Sequence, residues 1–339
     1  PRPRGFPSLS PGHRFAAMAK DKLFSKIPGF RDFPPGDFQL RSHIFDSWRR
    51  ASRRYGFQEY DGPPLEALEL YTEKSGEEIV GQLYNFRDKG GREVTLRPEM
   101  TPSLARILGD SSRALPKPIR WFTIPQLFRY ERQQKGRLRE HFQWNVDIVG
   151  EAGVGADAEV LAVAVDALRD LGLTAVAFRA RVSDRRRLSA VLRGLGVSEE
   201  KLVAAYAIID KLEREDPSRS RDRLEAECGL TLAAAREVLA LFSEPGLDAV
   251  AEVHGEKPEV AEVLDQLDEY SRILQGLGVM DFVEFDLKSV RGLAYYTGIV
   301  FELFDRGGEV RAICGGGRYD RLLELVGGDP LPAVGFGMG

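Results

Sequence analysis

The sequence has little of what builds a crosslinked or metal-held scaffold. Its 339 residues include 2 cysteines and 4 histidines. Cys228 and Cys314 lie far apart and the histidines are scattered, so neither a disulfide framework nor a zinc-ligand spacing is present. No apolar run reaches the length of a membrane span, which excludes a helical membrane protein and leaves no membrane partner to expect. Positive charge is not in excess: 48 Lys and Arg against 52 Asp and Glu give a net charge of −4. A basic surface over the whole chain is thereby excluded, and any RNA contact must use a local patch. The opening PRPRGFPSLSPGHRF lacks a secretory apolar region, and its prolines oppose the amphipathic helix of a transit peptide. Met18 is the candidate natural start, with residues 1–24 a flexible or appended segment. A reducing, cytoplasmic setting is expected.

What is present is concentrated between Trp121 and Gly150, WFTIPQLFRYERQQKGRLREHFQWNVDIVG. This stretch reads as two strands joined by a charged loop. In the second strand Phe142, Trp144, Val146 and Ile148 alternate with Gln143, Asn145 and Asp147, so one face is apolar and the other polar. Arg129 and Glu131 share a face of the first strand. The loop Arg132–Glu140 is rich in Arg, Lys and Gln and is the best local basic patch. Such a layout suits an anionic ligand beside a small polar one. A surface hairpin with salt bridges is the plainer alternative.

Elsewhere the signals are as follows. Pro34-Pro35-Gly36-Asp37 predicts a turn ending in an N-cap at Asp37, followed by a helix with Leu40, Ile44, Trp48, Ala51 and Tyr55 on one side and Gly56 closing it. Leu83–Phe86 and Glu93–Leu96 read as a hairpin about Asp88-Lys89-Gly90-Gly91. Pro98 should end the second strand, leaving Glu99 and Thr101 either at a ligand or capping the helix Pro102–Leu108. Asp157 is read as the cap of the next helix, with a strand at Thr174–Ala180. From Ser183 to Gly278 the signal is almost wholly helical, with starts at Ser198 and Thr231. Strands follow at Phe282–Leu287 and Gly298–Phe304. Gly315-Gly316-Gly317 permits close backbone approach to a flat or phosphorylated ligand, and Arg318-Tyr319-Asp320 is read as the start of a helix through Leu325.

These residues carry a resemblance. FRYERQQKGRLREHFQWNVDIVG is similar to motif 2 of class II aminoacyl-tRNA synthetases, most closely of the histidyl-tRNA synthetase family. LRPEMTPSLARI resembles that family's amino-acid-binding segment. RGLAYYTGIVFE resembles its histidine-specific segment, and GGGRYDRLLELVGG with PAVGFGMG resembles the approach to motif 3. The helix at Leu40–Tyr55 resembles motif 1, the dimer-forming helix; an ordinary core helix has the same periodicity. The resemblance implies an α+β fold: a class II antiparallel sheet flanked by helices, with an all-helical insertion at 183–278 between core parts 25–182 and 279–339. It also implies a reaction, in which L-histidine and ATP form histidyl-adenylate and histidine then passes to the 3′ end of tRNA(His), in a homodimer with Mg2+ on the phosphates.

Residue roles follow from matching positions. The resemblance gives Arg129 and Arg291 the α-phosphate as catalytic arginines, and Glu131 the adenine end or the orientation of Arg129. Arg137 reaches the outer phosphates. Gly315, Gly316, Gly317 and Arg318 complete the ATP set. Histidine falls to Glu99 and Thr101 at its ammonium, Gln143 at its carboxylate or backbone end, Asp147 at an imidazole N–H, and Tyr295 and Tyr296 around the ring. Gln134, Lys135 and Arg139 are the tRNA candidates. No protein ligand to the metal is assigned. Three departures from the family pattern stand out. Ala294 replaces a frequent Asp, Asp147 replaces a frequent Glu, and the sequence stops at GFGMG, before the motif 3 helix and the anticodon-binding domain, as a truncated product of a longer protein would. A rival reading is the histidine-sensing regulatory subunit of ATP phosphoribosyltransferase, which resembles the same core. Arg291 and the basic loop count against it.

Overall fold

The computed structural model describes residues 26–72, 81–130, 138–209, 211–212, 215–243, 258–286, 296–308, 312–321, 323–324 and 327–339. Helix α1 spans Pro35–Arg54. Pro34 is its N-cap and Pro35 its first residue, so Asp37 sits within the first turn, where a carboxylate favours the helix dipole without capping. Gly56 closes the helix at φ +75°, its N–H on Arg53 O at 3.0 Å and that of Phe57 on Ser52 O at 3.0 Å. The buried stripe of α1 carries Trp48, Ala51 and Ser52. Trp48 stacks on Trp144 at 5.7 Å, and Trp144 Nε1 donates to Ser52 Oγ at 3.0 Å.

Next come strands β1 (Gln58–Glu59), β2 (Leu65–Ala67), β3 (Tyr84–Arg87) and β4 (Glu93–Leu96). β3 and β4 form the expected hairpin, fixed by Asp88 Oδ1 accepting from the backbone of Gly90 and Arg92. β4 stops before Pro98, and α2 runs Thr101–Ser111. Its N-cap, Met100, makes no side-chain cap bond.

The motif between Trp121 and Gly150 is four strands rather than two. β5 (Ile119–Thr123) and β8 (Trp144–Val149) pair in the main sheet, while β6 (Gln126–Phe128) and β7 (Glu140–Phe142) pair as a separate ribbon. The break falls at Pro125, which has no N–H for a ladder; its carbonyl takes the N–H of Gln143 at 3.1 Å instead. Phe142 therefore leaves the core face occupied by Trp144, Val146 and Ile148. It packs edge-on against Phe33 and Phe45, with the Arg41 guanidinium 4.7 Å from its ring.

Helix α3 covers Val154–Asp170 with Gly153 as N-cap, so Asp157 lies inside the first turn and is not the cap. β9 covers Phe178–Asp184, later than expected, because Thr174–Ala177 closes a turn through Ala177 N–H to Thr174 O. Helices α4 (Arg185–Gly194), α5 (Leu202–Ile209), α6 (Pro217–Cys228), α7 (Leu232–Ser243) and α8 (Pro258–Gly276) follow. The last strands are β10 (Val283–Phe285), β11 (Ile299–Asp305), β12 (Cys314–Arg318) and β13 (Ala333–Met338). Arg318 ends a strand instead of starting a helix, because its backbone pairs with Val334 and its side chain is buried.

Among the described residues, eight strands form one sheet in the order β1-β5-β8-β13-β12-β11-β9-β10. Its interior pairings are antiparallel and the two edge pairings, β1 with β5 and β9 with β10, are parallel. One face packs on α3, α1 and α8 through Val146, Ile148, Val182, Phe301 and Phe336. α4–α7 share a separate core around Leu192, Ala205, Ile208 and Leu224. α8 returns to the main core with Leu267, Tyr270 and Leu274.

Candidate active site

The other face of the sheet is built differently. Strand register places Trp121 opposite Asp147, Asp147 opposite Gly335, and Gly335 opposite Gly317. One step along, Thr123, Asn145, Gly337, Gly315 and Glu302 line up in the same way. Residues in register share a face, so this side is a glycine floor edged by polar side chains. The missing side chains make room. A Cβ on Gly337 would come within 2.8 Å of the Gln143 amide, and one on Gly335 within 2.6 Å of the Tyr319 hydroxyl. Gly317 would meet Val300 Cγ1 at 2.8 Å and Tyr296 Cδ1 at 3.0 Å. Gly316 points the other way, into Phe336 and Phe301, so its smallness serves the core.

Asp147 lies on this floor, 6% exposed, and accepts a hydrogen bond from Tyr319 Oη. Burial pushes its carboxyl up to about 7, and the bond from Tyr319 opposes that rise. Tyr319 was not foreseen as a site residue; its signal was the GGGRYD run, read instead as a helix start. Tyr296 is buried, its ring 6.5 Å from that of Tyr319. Tyr60, also unforeseen, tilts against Trp121 at 5.2 Å.

Glu99 and Thr101 lie where β4 gives way to α2. Burial raises the Glu99 carboxyl, and the Arg129 charge nearby lowers it. Arg129 Nε donates to Pro98 O at 3.0 Å, which holds the arginine over the same corner. Arg129 and Glu99 thus set an anion-binding guanidinium beside a buried carboxyl group.

Other expected residues stand elsewhere. Arg318, 7% exposed, turns to the helix side of the sheet. Its Nε meets both Asp157 carboxylate oxygens at 3.0 and 3.1 Å, Nη1 meets Glu151 O and Asp320, and Nη2 meets Gly153 O. Those donors are spent inside the fold, away from the glycine floor. A cavity of about 260 Å³ opens beside this ion pair, lined by Asp157, Arg186, Gln266, Glu269 and Asp320, and it too lies behind the sheet. The Arg139 guanidinium covers the Tyr130 ring at 4.3 Å. Arg291, Tyr295, Glu131, Arg137, Gln134 and Lys135 lie outside the described residues. Among the described residues no group of three or more His, Cys, Asp and Glu could hold a metal ion, and no helix is long and apolar enough to cross a membrane.

A family model described as histidyl-tRNA synthetase matches residues 29–339. The chain is 45% identical to a histidine--tRNA ligase of Opitutus terrae, over 93% of its own length and 73% of the relative's. It is 44% identical to a chloroplastic/mitochondrial histidine--tRNA ligase of Arabidopsis thaliana, over 92% and 63%. Among solved structures, histidyl-tRNA synthetase from Nostoc superposes with a TM-score of 0.81 at 26% identity, covering 93% of this chain and 73% of that one. A Bacillus halodurans structure described as an ATP phosphoribosyltransferase regulatory subunit/histidyl-tRNA synthetase superposes at 0.80 and 26%, covering 95% and 82%.

Proposed function

The chain belongs to the histidyl-tRNA synthetase family, and from that premise we propose how its own residues ligate histidine to tRNA. The carboxylate oxygen of histidine attacks the α-phosphorus of ATP. The bond to the β-phosphate bridging oxygen breaks, pyrophosphate leaves, and histidyl-adenylate remains. A ribose hydroxyl of the terminal tRNA nucleotide then attacks the carbonyl carbon, and AMP leaves. Both steps gather negative charge in a small volume, where fixed guanidinium groups are most effective.

Arg129 holds the α-phosphate from one side and Arg291 from the other. Arg137 reaches the outer phosphates and Glu131 the adenine end. Glu99 and Thr101 take the ammonium of histidine, a group with three donors and no acceptor. Gln143 orients its carboxylate end. Asp147 accepts from an imidazole N–H while Tyr295 and Tyr296 close around the ring. Magnesium would enter with ATP on its outer phosphates, with protein carboxylates among its ligands. Gln134, Lys135 and Arg139 face the tRNA. Helices α4–α7, with a core of their own, form the insertion, while α8 packs on the catalytic core; a cytoplasmic location fits the substrates. The homodimer through α1 rests on the resemblance of that helix to motif 1.

The observation that carries the reading is the buried Asp147 on the glycine-rich polar face of the sheet, held by Tyr319. Charging of tRNA(His) with labelled histidine tests it. ATP-dependent, acid-precipitable label on that tRNA alone supports the reading; label that depends on neither ATP nor tRNA identity contradicts it.

A further inference from the structure

Glu99 lies in the irregular passage between β4 and α2, outside both elements. Two consecutive carbonyls of that passage are held by side chains from distant parts of the chain. Pro98 O accepts from Arg129 Nε at 3.0 Å, and Glu99 O accepts from Tyr71 Oη at 3.3 Å. Tyr71 stands in a helical turn after β2, its N–H on Leu68 O at 3.1 Å, and it is fully buried. Its hydroxyl also lies 3.0 Å from Ser103 Oγ in the first turn of α2. A phenol has one hydrogen and a carbonyl can only accept, so the chain of donors runs from Ser103 to Tyr71 to Glu99 O. Burial pushes the Tyr71 phenol well above its ordinary range, so that hydrogen is retained. A phenylalanine would fill the same core space; the hydroxyl is what reaches Glu99. Met100, the N-cap of α2, supplies no side-chain bond, so Tyr71 and Ser103 secure the passage in place of a cap.

Resting on the assignment of Glu99 to the histidine ammonium, we infer that Tyr71 is a positioning residue for amino-acid binding: its hydroxyl holds the Glu99 peptide and so aims the Glu99 carboxylate at the ammonium. The Arg129 bond to the neighbouring Pro98 carbonyl completes a two-point clamp, and the two points serve different ligands. Removing the hydroxyl frees Glu99 while Arg129 keeps its own hold on Pro98. The amino end of the substrate is then affected and the phosphate side is not. A buried carboxylate gains from an ammonium only when it is aimed at it, because a charge left unpaired in low dielectric is costly.

The test is calorimetric titration of the full gene product, as wild type, Tyr71→Phe and Glu99→Gln, with three ligands and with ATP. L-Histidine and histidinol carry the ammonium; imidazolepropionic acid keeps the ring and the carboxylate and lacks it. The expected result for Tyr71→Phe is a loss of about fivefold in affinity for histidine and for histidinol alike, with imidazolepropionic acid and ATP unchanged. Glu99→Gln should show the same pattern with a larger loss. A merely structural role for Tyr71 would weaken all the ligands together. That result, or unchanged histidinol affinity in Tyr71→Phe, overturns the inference while Glu99→Gln still upholds the Glu99 assignment. Unchanged histidinol affinity in Glu99→Gln overturns both.

Discussion

Tyr319 Oη donates to Asp147 Oδ1 across the backbone of Gly335, joining residues 172 positions apart at the centre of the polar face. The pair closes one end of the floor and fixes the direction in which the carboxyl group points. Removing any of the three residues therefore acts on the same contact.

Substituting Gly335→Ala puts a methyl group within 2.6 Å of Tyr319 Oη and of Val146 O. Backbone cannot yield as a side-chain tip can, so overpacking should cost about 1–3 kcal/mol of stability. Histidine affinity should fall more than ATP affinity. Denaturant melts and paired titrations check both; an unaltered variant would contradict the packing described.

Asp147 also sets a pH dependence of stability. Its carboxyl is raised from 3.8 to about 7 by burial, so the folded chain holds a proton that the unfolded chain releases above about pH 4. The contribution is complete below that point and is lost as pH rises to about 7. Asp147→Asn, which cannot titrate, should equal wild type near pH 4 and exceed it at pH 8, by up to roughly 4 kcal/mol. Urea unfolding at the two pH values measures this, and a variant less stable than wild type at pH 8 would refute it.

Asp147→Ala should abolish histidine binding before it perturbs ATP binding, because the side chain is assigned to the ring and not to a phosphate. Separate titrations decide, and unchanged histidine affinity would remove the assignment.

Arg318 answers a different question. If its guanidinium serves the Asp157 ion pair and not the nucleotide, Arg318→Met should cost about 3–5 kcal/mol by leaving a buried carboxylate unpaired. Adding Asp157→Leu should recover part of that loss. ATP affinity of the folded variant should be close to wild type. Lost ATP affinity without lost stability would return Arg318 to the nucleotide site.

Much of this was legible in the residues themselves. The alternation from Trp144 to Ile148 marked a two-sided strand, and Asp88-Lys89-Gly90-Gly91 marked a hairpin, because period and turn chemistry are local. Gly56 closed its helix for the same reason. Arg318 was misread because RYDRLL looks helical locally, while the ion pair with Asp157 that keeps it in a strand spans 161 positions. Asp37 and Asp157 carry the local signature of a cap, because an acidic residue in the first turn and one at the N-cap look alike without φ and ψ. Tyr60 and Tyr319 carried no motif signal for this site. Only the sheet order β1-β5-β8-β13-β12 sets them on the face that carries Asp147.

The most direct test of adenylate chemistry is histidine-dependent exchange of labelled pyrophosphate into ATP by the full gene product, run beside Arg291→Ala. The account predicts exchange that requires histidine and falls at least about a hundredfold in the variant. Histidine binding with no exchange would contradict it and leave a histidine sensor.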